Sequence, residues 1–418
     1  MKTRNATHAS RWVLCAFVSN MASVSIAHAA GADGNPLPFK PLVDVRARWE
    51  SVDQAGLPQQ ADASTIRARL GFETKPLLET TLLVEGEFVR ALDDDYNSTI
   101  NGKTRYPVIG DSQTDELNRL QLTNVSIPGT AVIVGRQRIM LDDQRFIGNA
   151  AWRQNEQTYD SARLVNQSID KLIFDVAYVE QVNRVAGKDS SVGRFEGDSV
   201  LVNVGYQLPV GKLTAFGYRL SFDVLDRAPA AQRNVATSDS SQTFGARLSG
   251  EHAFDRFKLA YAASYATQED FGRNPLDYCV DYYLGELSAS VKAFNAGFGL
   301  EVLQGDGHKG FATPLSSLHK FQGWADKFLT TPVNGIRDRY ANLGYGLKNV
   351  GILEALSASV AVHDYEAERG GADYGSEVDV QVLAKWKKLN GLLKYADYHA
   401  DKLFTDTHKL WLQLEYVW

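Results

Sequence analysis

The segment Lys409-Leu-Trp-Leu-Gln-Leu-Glu-Tyr-Val-Trp418 alternates apolar and polar side chains and stops on an aromatic residue. In an extended strand, successive side chains point to opposite faces, so Gln413 and Glu415 would share one face. The other, apolar face comprises Leu410, Leu412, Leu414, Tyr416 and Trp418. A terminal strand with one apolar and one polar face predicts a membrane barrel, in which lipid meets the outer face and water fills the lumen.

The N-terminus has the pattern of an export signal. Lys2, Arg4 and Arg11 form a basic start, an apolar run follows, and Ala27-His28-Ala29 has the small residues of a cleavage site. The apolar run is shorter than the roughly 20 residues that a membrane-spanning helix needs. The predicted divisions are 1–29 for a signal peptide, 30–418 for the barrel and, within it, 30–42 for a short periplasmic lead.

The composition suits a folded protein, with 44% hydrophobic and 22% charged residues and a formal net charge of -6. No segment beyond the predicted signal approaches about 18 consecutive apolar residues, so the pattern does not predict a membrane-spanning helix. Strands of a closed barrel are then the remaining way to cross a bilayer. The acidic balance and the dispersed arginines argue against a nucleic-acid partner.

From Val43 onward, the chain divides into eighteen segments of alternating polarity, the pattern of barrel strands. The predicted strands are 43–51, 63–74, 79–91, 115–126, 130–139, 157–165, 170–184, 196–208, 211–223, 240–250, 256–268, 279–288, 291–303, 337–348, 353–366, 376–387, 391–400 and 408–418. Short connections alternate with long polar ones, which predicts periplasmic turns at one rim and extracellular loops at the other. The expected fold is therefore all-β, a single 18-stranded antiparallel transmembrane barrel.

Arginine recurs on the polar faces of these strands. An Arg side chain on the lipid face costs about 2–4 kcal/mol at the membrane midplane, so we place these side chains in the lumen. The predicted pore-lining and substrate-binding residues are Arg46, Arg48, Arg67, Arg69, Arg119, Arg136, Arg138, Arg145, Arg153, Arg163, Arg219 and Arg247. Guanidinium groups bind carboxylates bidentately and select anions in pores, which predicts an anion-selective channel. The alternative is structural, with these arginines paired to lumen acids such as Glu50, Glu73, Glu85 and Glu87.

Two long connections are candidates for narrowing the channel. The region 140–156 is dense in Arg, Gln, Asn and Asp, so it could fold inward and present Arg145 and Arg153. The alternative is a solvated surface loop with its own acid–base pairs. In the region 304–336, apolar residues between 311 and 330 recur at helical spacing and predict a small amphipathic helix. This helix could pack as a plug at the barrel rim or act as a gate.

Several motifs occur together in the first third of the chain. They are Arg67-Ala-Arg-Leu-Gly-Phe72, Asp94-Asp-Tyr-Asn97, Gly135-Arg-Gln137, Asp142-Asp-Gln-Arg-Phe-Ile-Gly-Asn149 and Trp152-Arg-Gln-Asn155. With these motifs the chain resembles the alginate-export family of outer-membrane proteins. The resemblance implies an eighteen-stranded barrel whose Arg-rich lumen passes an acidic polysaccharide outward. It also implies an electropositive constriction formed by Arg67, Arg69, Arg136, Arg138, Arg145 and Arg153.

Other kinds of site have weaker signals. Asp93, Asp94 and Asp95 cluster the oxygen ligands that Ca2+ takes, although such a run is more often a solvated loop, and no other cofactor is expected. The histidines lack zinc-site spacing, and no nucleophile motif of a hydrolase occurs. We therefore expect no enzyme activity, with a barrel enzyme at the outer surface as a third alternative.

Together these patterns predict a passive channel in the outer membrane of a Gram-negative bacterium. The expected cargo is an acidic, alginate-like polysaccharide or oligosaccharide, and the alternative is a general anion-preferring porin for small carboxylates. The expected partners are the anionic solute, outer-membrane lipid and the barrel-assembly machinery, which would recognise the strand that ends at Trp418.

Overall fold

The computed structural model describes residues 38–226 and 228–418, which form eighteen strands numbered here in chain order. The strands are β1 Phe39–Gln54, β2 Ala61–Thr74, β3 Thr80–Asp95, β4 Thr114–Asn124, β5 Thr130–Gln137, β6 Thr158–Asn166, β7 Leu172–Asn183, β8 Arg194–Leu208, β9 Gly211–Leu220, β10 Ser241–Ala253, β11 Lys258–Asp270, β12 Cys279–Val291, β13 Phe294–Leu303, β14 Ile336–Val350, β15 Leu353–Glu366, β16 Asp373–Trp386, β17 Leu389–Ala400 and β18 Thr407–Val417. Three short 3-10 turns, Ala230–Gln232, Thr237–Asp239 and Leu318–Lys320, lie in the loops. The predicted signal peptide falls outside the described residues.

Each strand pairs antiparallel with its neighbours in sequence, and β1 also pairs with β18 to close the barrel. In the closing pair, Arg46 lies opposite Glu415. On the other side of β1, Arg46 lies opposite Arg67. Closure satisfies the backbone hydrogen bonds of every strand, as a hydrocarbon layer requires.

All eighteen predicted strands are present, with ends that differ from the predicted ones by a few residues. The first strand begins at Phe39, so part of the predicted periplasmic lead, residues 39–42, belongs to β1. Short and long connections alternate as predicted: Pro209 and Val210 alone join β8 to β9, whereas residues 304–335 join β13 to β14. Polarity alternation located the strands because each strand meets lipid on one face and the lumen on the other.

The faces of the strands carry the side chains that the alternation predicts. On β16, Val378 and Val380 face outward and are 40% and 39% exposed, whereas Glu377 and Asp379 are buried on the lumen side. On β18, Leu412 faces outward and is 56% exposed. The outer surface is thus apolar where it would contact lipid, and the polar face encloses the lumen.

Two long loops fold into the lumen: the first inward loop, residues 138–157, and the second inward loop, residues 304–335. Their backbones bond directly, since the Gly148 N–H donates to the Leu315 carbonyl at 2.8 Å. Their buried apolar side chains include Ile139, Leu141, Ile147, Phe311, Leu315, Trp324 and Phe328.

The predicted amphipathic helix within 311–330 is wrong. Only the turn Leu318–Lys320 is helical there, because hydrogen bonds to the first inward loop and packing against the barrel wall fix an irregular path. Ser317 N–H, for example, donates to the Gln144 carbonyl at 3.1 Å. Among the described residues, no helix is long and apolar enough to cross a membrane.

Candidate functional site in the barrel lumen

An arginine wall, defined as Arg46, Arg48, Arg67 and Arg69, lies on the lumen face of β1 and β2, and all four side chains are buried. Register places Arg46 and Arg67 directly opposite each other, where like charges destabilise a strand pair. Carboxylates offset that repulsion. The ion pairs are Arg46–Glu415 (2.7 Å), Arg67–Asp44 (2.5 Å), Arg67–Glu415 (3.2 Å), Arg48–Asp111 (3.6 Å) and a short contact between Arg69 and Glu87.

The first inward loop covers the arginine wall. Arg46 Nη1 donates to the Ala151 carbonyl at 3.0 Å, and Arg48 Nη2 donates to the Trp152 carbonyl at 2.6 Å. The Arg48 guanidinium also lies 4.2 Å from the centroid of the Trp152 ring, a cation–π contact. Loop carbonyls and an indole therefore occupy donors that would otherwise face a passing anion.

Glu156 anchors the C-terminal end of the first inward loop. It forms a short ion pair with Arg138 and accepts a hydrogen bond from Asn118 Nδ2 at 2.6 Å. Burial alone would raise the pKa of Glu156, but Arg138 and Arg69 outweigh burial and hold that pKa well below its ordinary value. The carboxylate is therefore ionised and fixes this end of the loop to the wall.

Arg153 joins the two inward loops to the barrel. Its Nη1 lies 3.0 Å from Glu50 Oε2 on β1, and its Nη2 lies 2.7 Å from Asp326 Oδ2 on the second inward loop. His319 Nδ1 lies 2.7 Å from Asp326 Oδ1, and His319 Nε2 lies 2.7 Å from Lys394 Nζ. Burial lowers the pKa of His319 well below its ordinary value, so a neutral ring donates to Asp326 and accepts from Lys394.

The other lumenal arginines are also paired with acids. The pairs are Arg119–Glu85 (2.7 Å), Arg145–Glu301 (2.6 Å), Arg163–Asp175 (2.5 Å) and Arg247–Asp143 (2.8 Å). Ten of the twelve predicted arginines thus lie in the lumen, and each contacts at least one carboxylate. This geometry corresponds to the structural alternative for the set, an ion-pair scaffold.

Arg136 and Arg219 lie instead on the outer face of the barrel, which corrects their predicted placement. Arg136 is the cross-strand partner of Leu120, which is 43% exposed, and it lies 2.6 Å from Asp160. Arg219 is the partner of Val200, which also faces outward. Both arginines lie near strand ends at the rim that carries the long loops, where the cost of an arginine in hydrocarbon falls towards zero.

A cavity of about 520 Å3 lies between the second inward loop and the opposite wall, which β9–β15 form. Lys320 and Phe321 line it from the loop, and Arg247, Glu286 and Tyr340 line it from the wall. Small side chains leave the space open, since the same wall presents serine, alanine and glycine there.

Both signs of charge face this cavity. Arg247 is paired with Asp143, and Lys320 Nζ donates to the Asp143 main-chain carbonyl at 2.8 Å. Glu286 accepts a hydrogen bond from the Tyr340 hydroxyl at 2.6 Å, and 41% of its side chain is exposed. The cavity can therefore offer an ammonium group to a carboxylate and a carboxylate to a hydrogen-bond donor.

The three aspartates singled out as a calcium candidate lie beside a lysine. Lys103 Nζ lies 3.0 Å from Asp94 Oδ1 and 3.3 Å from Asp95 Oδ1, so an ammonium group already contacts two of the three acids. Asp93 instead accepts a hydrogen bond from the Asp95 N–H. Among the described residues, no cluster of His, Cys, Asp and Glu suits a metal ion.

Sequence reasoning missed Lys320, Glu286 and His319. Glu286 shares a strand face with Ser288 and Leu284, so its parity on β12 was a usable signal. Lys320 and His319 lie in a loop without a motif, and only the inward path of that loop brings them into the lumen.

No model of a known protein family matches the chain, and no curated protein matches it. The resemblance to the alginate-export family thus stays an expectation. Solved structures do match. OccAB4 of Acinetobacter baumannii is 16% identical with a TM-score of 0.68, and the match covers 92% of this chain and 100% of that one.

Two solved structures from Pseudomonas aeruginosa resemble this chain to a similar degree. OpdO is 16% identical with a TM-score of 0.65, and the match covers 91% of this chain and 97% of that one. OpdK, solved with vanillate, is 14% identical with a TM-score of 0.67, and the match covers 91% and 98%. At these identities the likeness shows the fold: this chain has the closed eighteen-stranded barrel of Gram-negative outer-membrane porins.

Proposed function

We propose that the protein is a passive outer-membrane channel for small organic carboxylates. The observation that carries the proposal is the lumen cavity, which has a volume of about 520 Å3 and presents Lys320 and Arg247. Pockets for small organic ligands typically measure about 300–1,000 Å3. Acids also line the cavity, and Lys320 and Arg247 are the groups there that a small carboxylate would contact.

The charges of the cavity suggest how a solute would cross. Lys320 and Arg247 would replace water around the solute carboxylate, and Glu286 would accept a hydrogen bond from a hydroxyl on the same solute. Asp143, which already pairs with Arg247, weakens the hold on the anion. Conduction needs this balance, because a solute that binds too tightly does not leave.

One structural relative supports the choice of a small carboxylate. OpdK was solved with vanillate, which is itself a small carboxylate. The likeness at 14% identity shows only a common fold, so the cargo proposed here rests on the cavity of this chain.

An acidic polysaccharide is less well supported than a small solute. The expectation relied on the arginines, and the arginine wall lies beneath the first inward loop with its guanidinium groups paired. A polymer that used those groups would have to displace the loop and break the contacts of Arg153 with Glu50 and Asp326. Small solutes need no such rearrangement.

Uptake into proteoliposomes tests the proposal. Purified protein would be reconstituted, and the entry of labelled glucuronate would be compared with that of glucose, a neutral solute of similar size. We expect faster entry of glucuronate and exclusion of a long polyuronate. Equal or slower entry of glucuronate would overturn the carboxylate proposal, and entry of the polymer would restore the polysaccharide expectation.

A further inference from the structure

Among the described residues that line the cavity, one cation has no direct contact with a carboxylate. Among the described residues that line it, the cationic side chains are Lys212, Arg247 and Lys320. Lys212 Nζ lies 3.5 Å from Asp142, and Arg247 Nη1 lies 2.8 Å from Asp143. No carboxylate oxygen of the described chain lies within 4.0 Å of Lys320 Nζ.

The contacts of Lys320 leave most of its hydrogen-bonding capacity open. Its ammonium group donates once, to the Asp143 main-chain carbonyl at 2.8 Å, and lies 5.6 Å from the Phe321 ring centroid. An ammonium group has three donors, so two can face the cavity. Although the barrel encloses it, Lys320 is an exposed residue because it borders the cavity.

Two other lysines in the described part of the lumen also lack a carboxylate contact, but neither lines the cavity. Lys394 is buried between the Trp152 and Trp324 rings, 4.1 Å and 3.7 Å from their centroids. Lys327 Nζ donates to Thr407 Oγ1 at 2.7 Å. Lys320 therefore differs from both because it lines the cavity that a solute would enter.

On the opposite wall, Glu286 is an acid whose negative charge is likewise poorly compensated. Its nearest cation is Arg247, with Nη2 at 3.9 Å, beyond hydrogen-bond range. The cavity thus has one poorly compensated positive group on the loop and one poorly compensated negative group on the wall. Removal of the positive group should therefore shift the channel towards cations, and removal of the negative group should shift it towards anions.

We propose that Lys320, rather than the arginine wall, is the residue that sets the preference of the channel for anions, by contacting the carboxylate of each passing solute. This inference rests on the proposed function. It assigns the selectivity to a loop residue, whereas the ten lumenal arginines act mainly as scaffold.

Zero-current potentials in planar bilayers with a potassium chloride gradient test the assignment. We expect Lys320→Gln to lower the chloride permeability about fivefold, the effect of one unit charge about 4 Å from an ion in water, and to lower the chloride-to-potassium permeability ratio by at least as much. Lys320→Arg should retain the ratio, and Glu286→Gln should raise it. The matched control is Lys327→Gln, which removes a lysine of the same loop and should change nothing.

Modification of an assembled channel removes the concern that a variant folds differently. In a Cys279→Ser background, a Lys320→Cys channel would be treated in the bilayer with a thiosulfonate that adds an ammonium group or with one that adds a sulfonate. We expect the first reagent to restore the anion preference and the second to reduce it further. No effect of either reagent, with an unchanged ratio in Lys320→Gln, would overturn the assignment.

The outcomes separate this inference from the proposed function. If the unmodified channel admits glucuronate no faster than glucose, the proposed function fails. If it does prefer glucuronate and Lys320→Gln keeps that preference, only the role of Lys320 fails.

Discussion

The rings of Trp152 and His319 stack in parallel, with centroids 4.2 Å apart and an interplanar angle of 5°. Each ring comes from a different inward loop, so the stack joins the loops inside the barrel. Trp411 of β18 packs edge-on against both rings, with centroids 5.7 Å from Trp152 and 5.8 Å from His319. The closing strand of the barrel therefore supports the structure that narrows its lumen.

Trp152→Ala should loosen the inward loops. The change removes the stack on His319 and the cation–π contact with Arg48. Deletion of a fully buried aromatic costs about 3–5 kcal/mol, and we expect a smaller cost here because Trp152 is half-buried. We expect larger and noisier single-channel currents than in the unmodified protein. Trp386→Ala, on the lipid face, is the control and should leave the currents unchanged. Unchanged single-channel currents in Trp152→Ala as well would contradict a role of the stack in holding the loops.

Arg153→Gln should destabilise the folded lumen more than an exposed substitution does. It removes the ion-pair partner of the buried Glu50 and one partner of Asp326, which keeps His319 and Lys409, and breaking a buried pair costs about 3–5 kcal/mol. Arg90→Gln is the matched control, since Arg90 and Asp115 form an exposed ion pair that contributes little to stability. The temperature at which the barrel loses its folded electrophoretic mobility should fall clearly for Arg153→Gln only. If both variants lost their folded mobility at the same temperature, this result would contradict the role of Arg153 in joining the inward loops to the barrel.

The anion preference should decline as pH rises, at a lower pH than an ordinary lysine predicts. The lumen walls around Lys320 partly desolvate its ammonium group and lower its pKa, and its charged neighbours Asp143, Arg247 and Glu286 act in both directions. The ammonium charge is therefore present below the lowered pKa and lost as pH rises through it. Zero-current potentials across a pH series measure this, with Lys320→Arg as a control that should keep its preference. A flat profile in the unmodified channel would contradict the prediction.

A covalent link between the two inward loops should leave conduction intact. A Cβ added at Gly148 would lie 2.4 Å from Ser317 Oγ, which places the two positions close enough for a disulfide after small adjustments. In a Cys279→Ser background, oxidised Gly148→Cys/Ser317→Cys protein should conduct like its reduced form, because the solute passes beside the joined loops. Loss of conduction on oxidation alone would mean that the loops separate in the open channel.

The strands were predictable because lipid and lumen impose a strict two-residue period on them, as Val378 and Asp379 illustrate on β16. The wrong placement of Arg136 in the lumen also concerns this two-residue period. Arg136 shares its parity with Val134, which faces lipid, whereas Arg138, two residues later, follows the end of β5 and turns inward. Parity checked against the apolar neighbours would have placed Arg136 outside.

The inward path of residues 140–156 was predicted from their polar composition, but the contacts of the two inward loops were not predictable from local patterns, because distant residues supply their environment. His319, for example, lies against Trp152, Asp326 and Lys394, which come from both loops and from β17. The pairing of each arginine was equally hidden, since partners such as Arg46 and Glu415 meet only when the barrel closes. The alternation of strand faces predicted that arginine collects in the lumen, but closure decides which charges remain available to a solute.

The most direct test of the central claim is the ratio of glucuronate to glucose entry into proteoliposomes that contain the unmodified channel. We expect a ratio clearly above one, which falls when Lys320 is replaced by Gln and stays high when it is replaced by Arg. A ratio of one or below in the unmodified channel would contradict it.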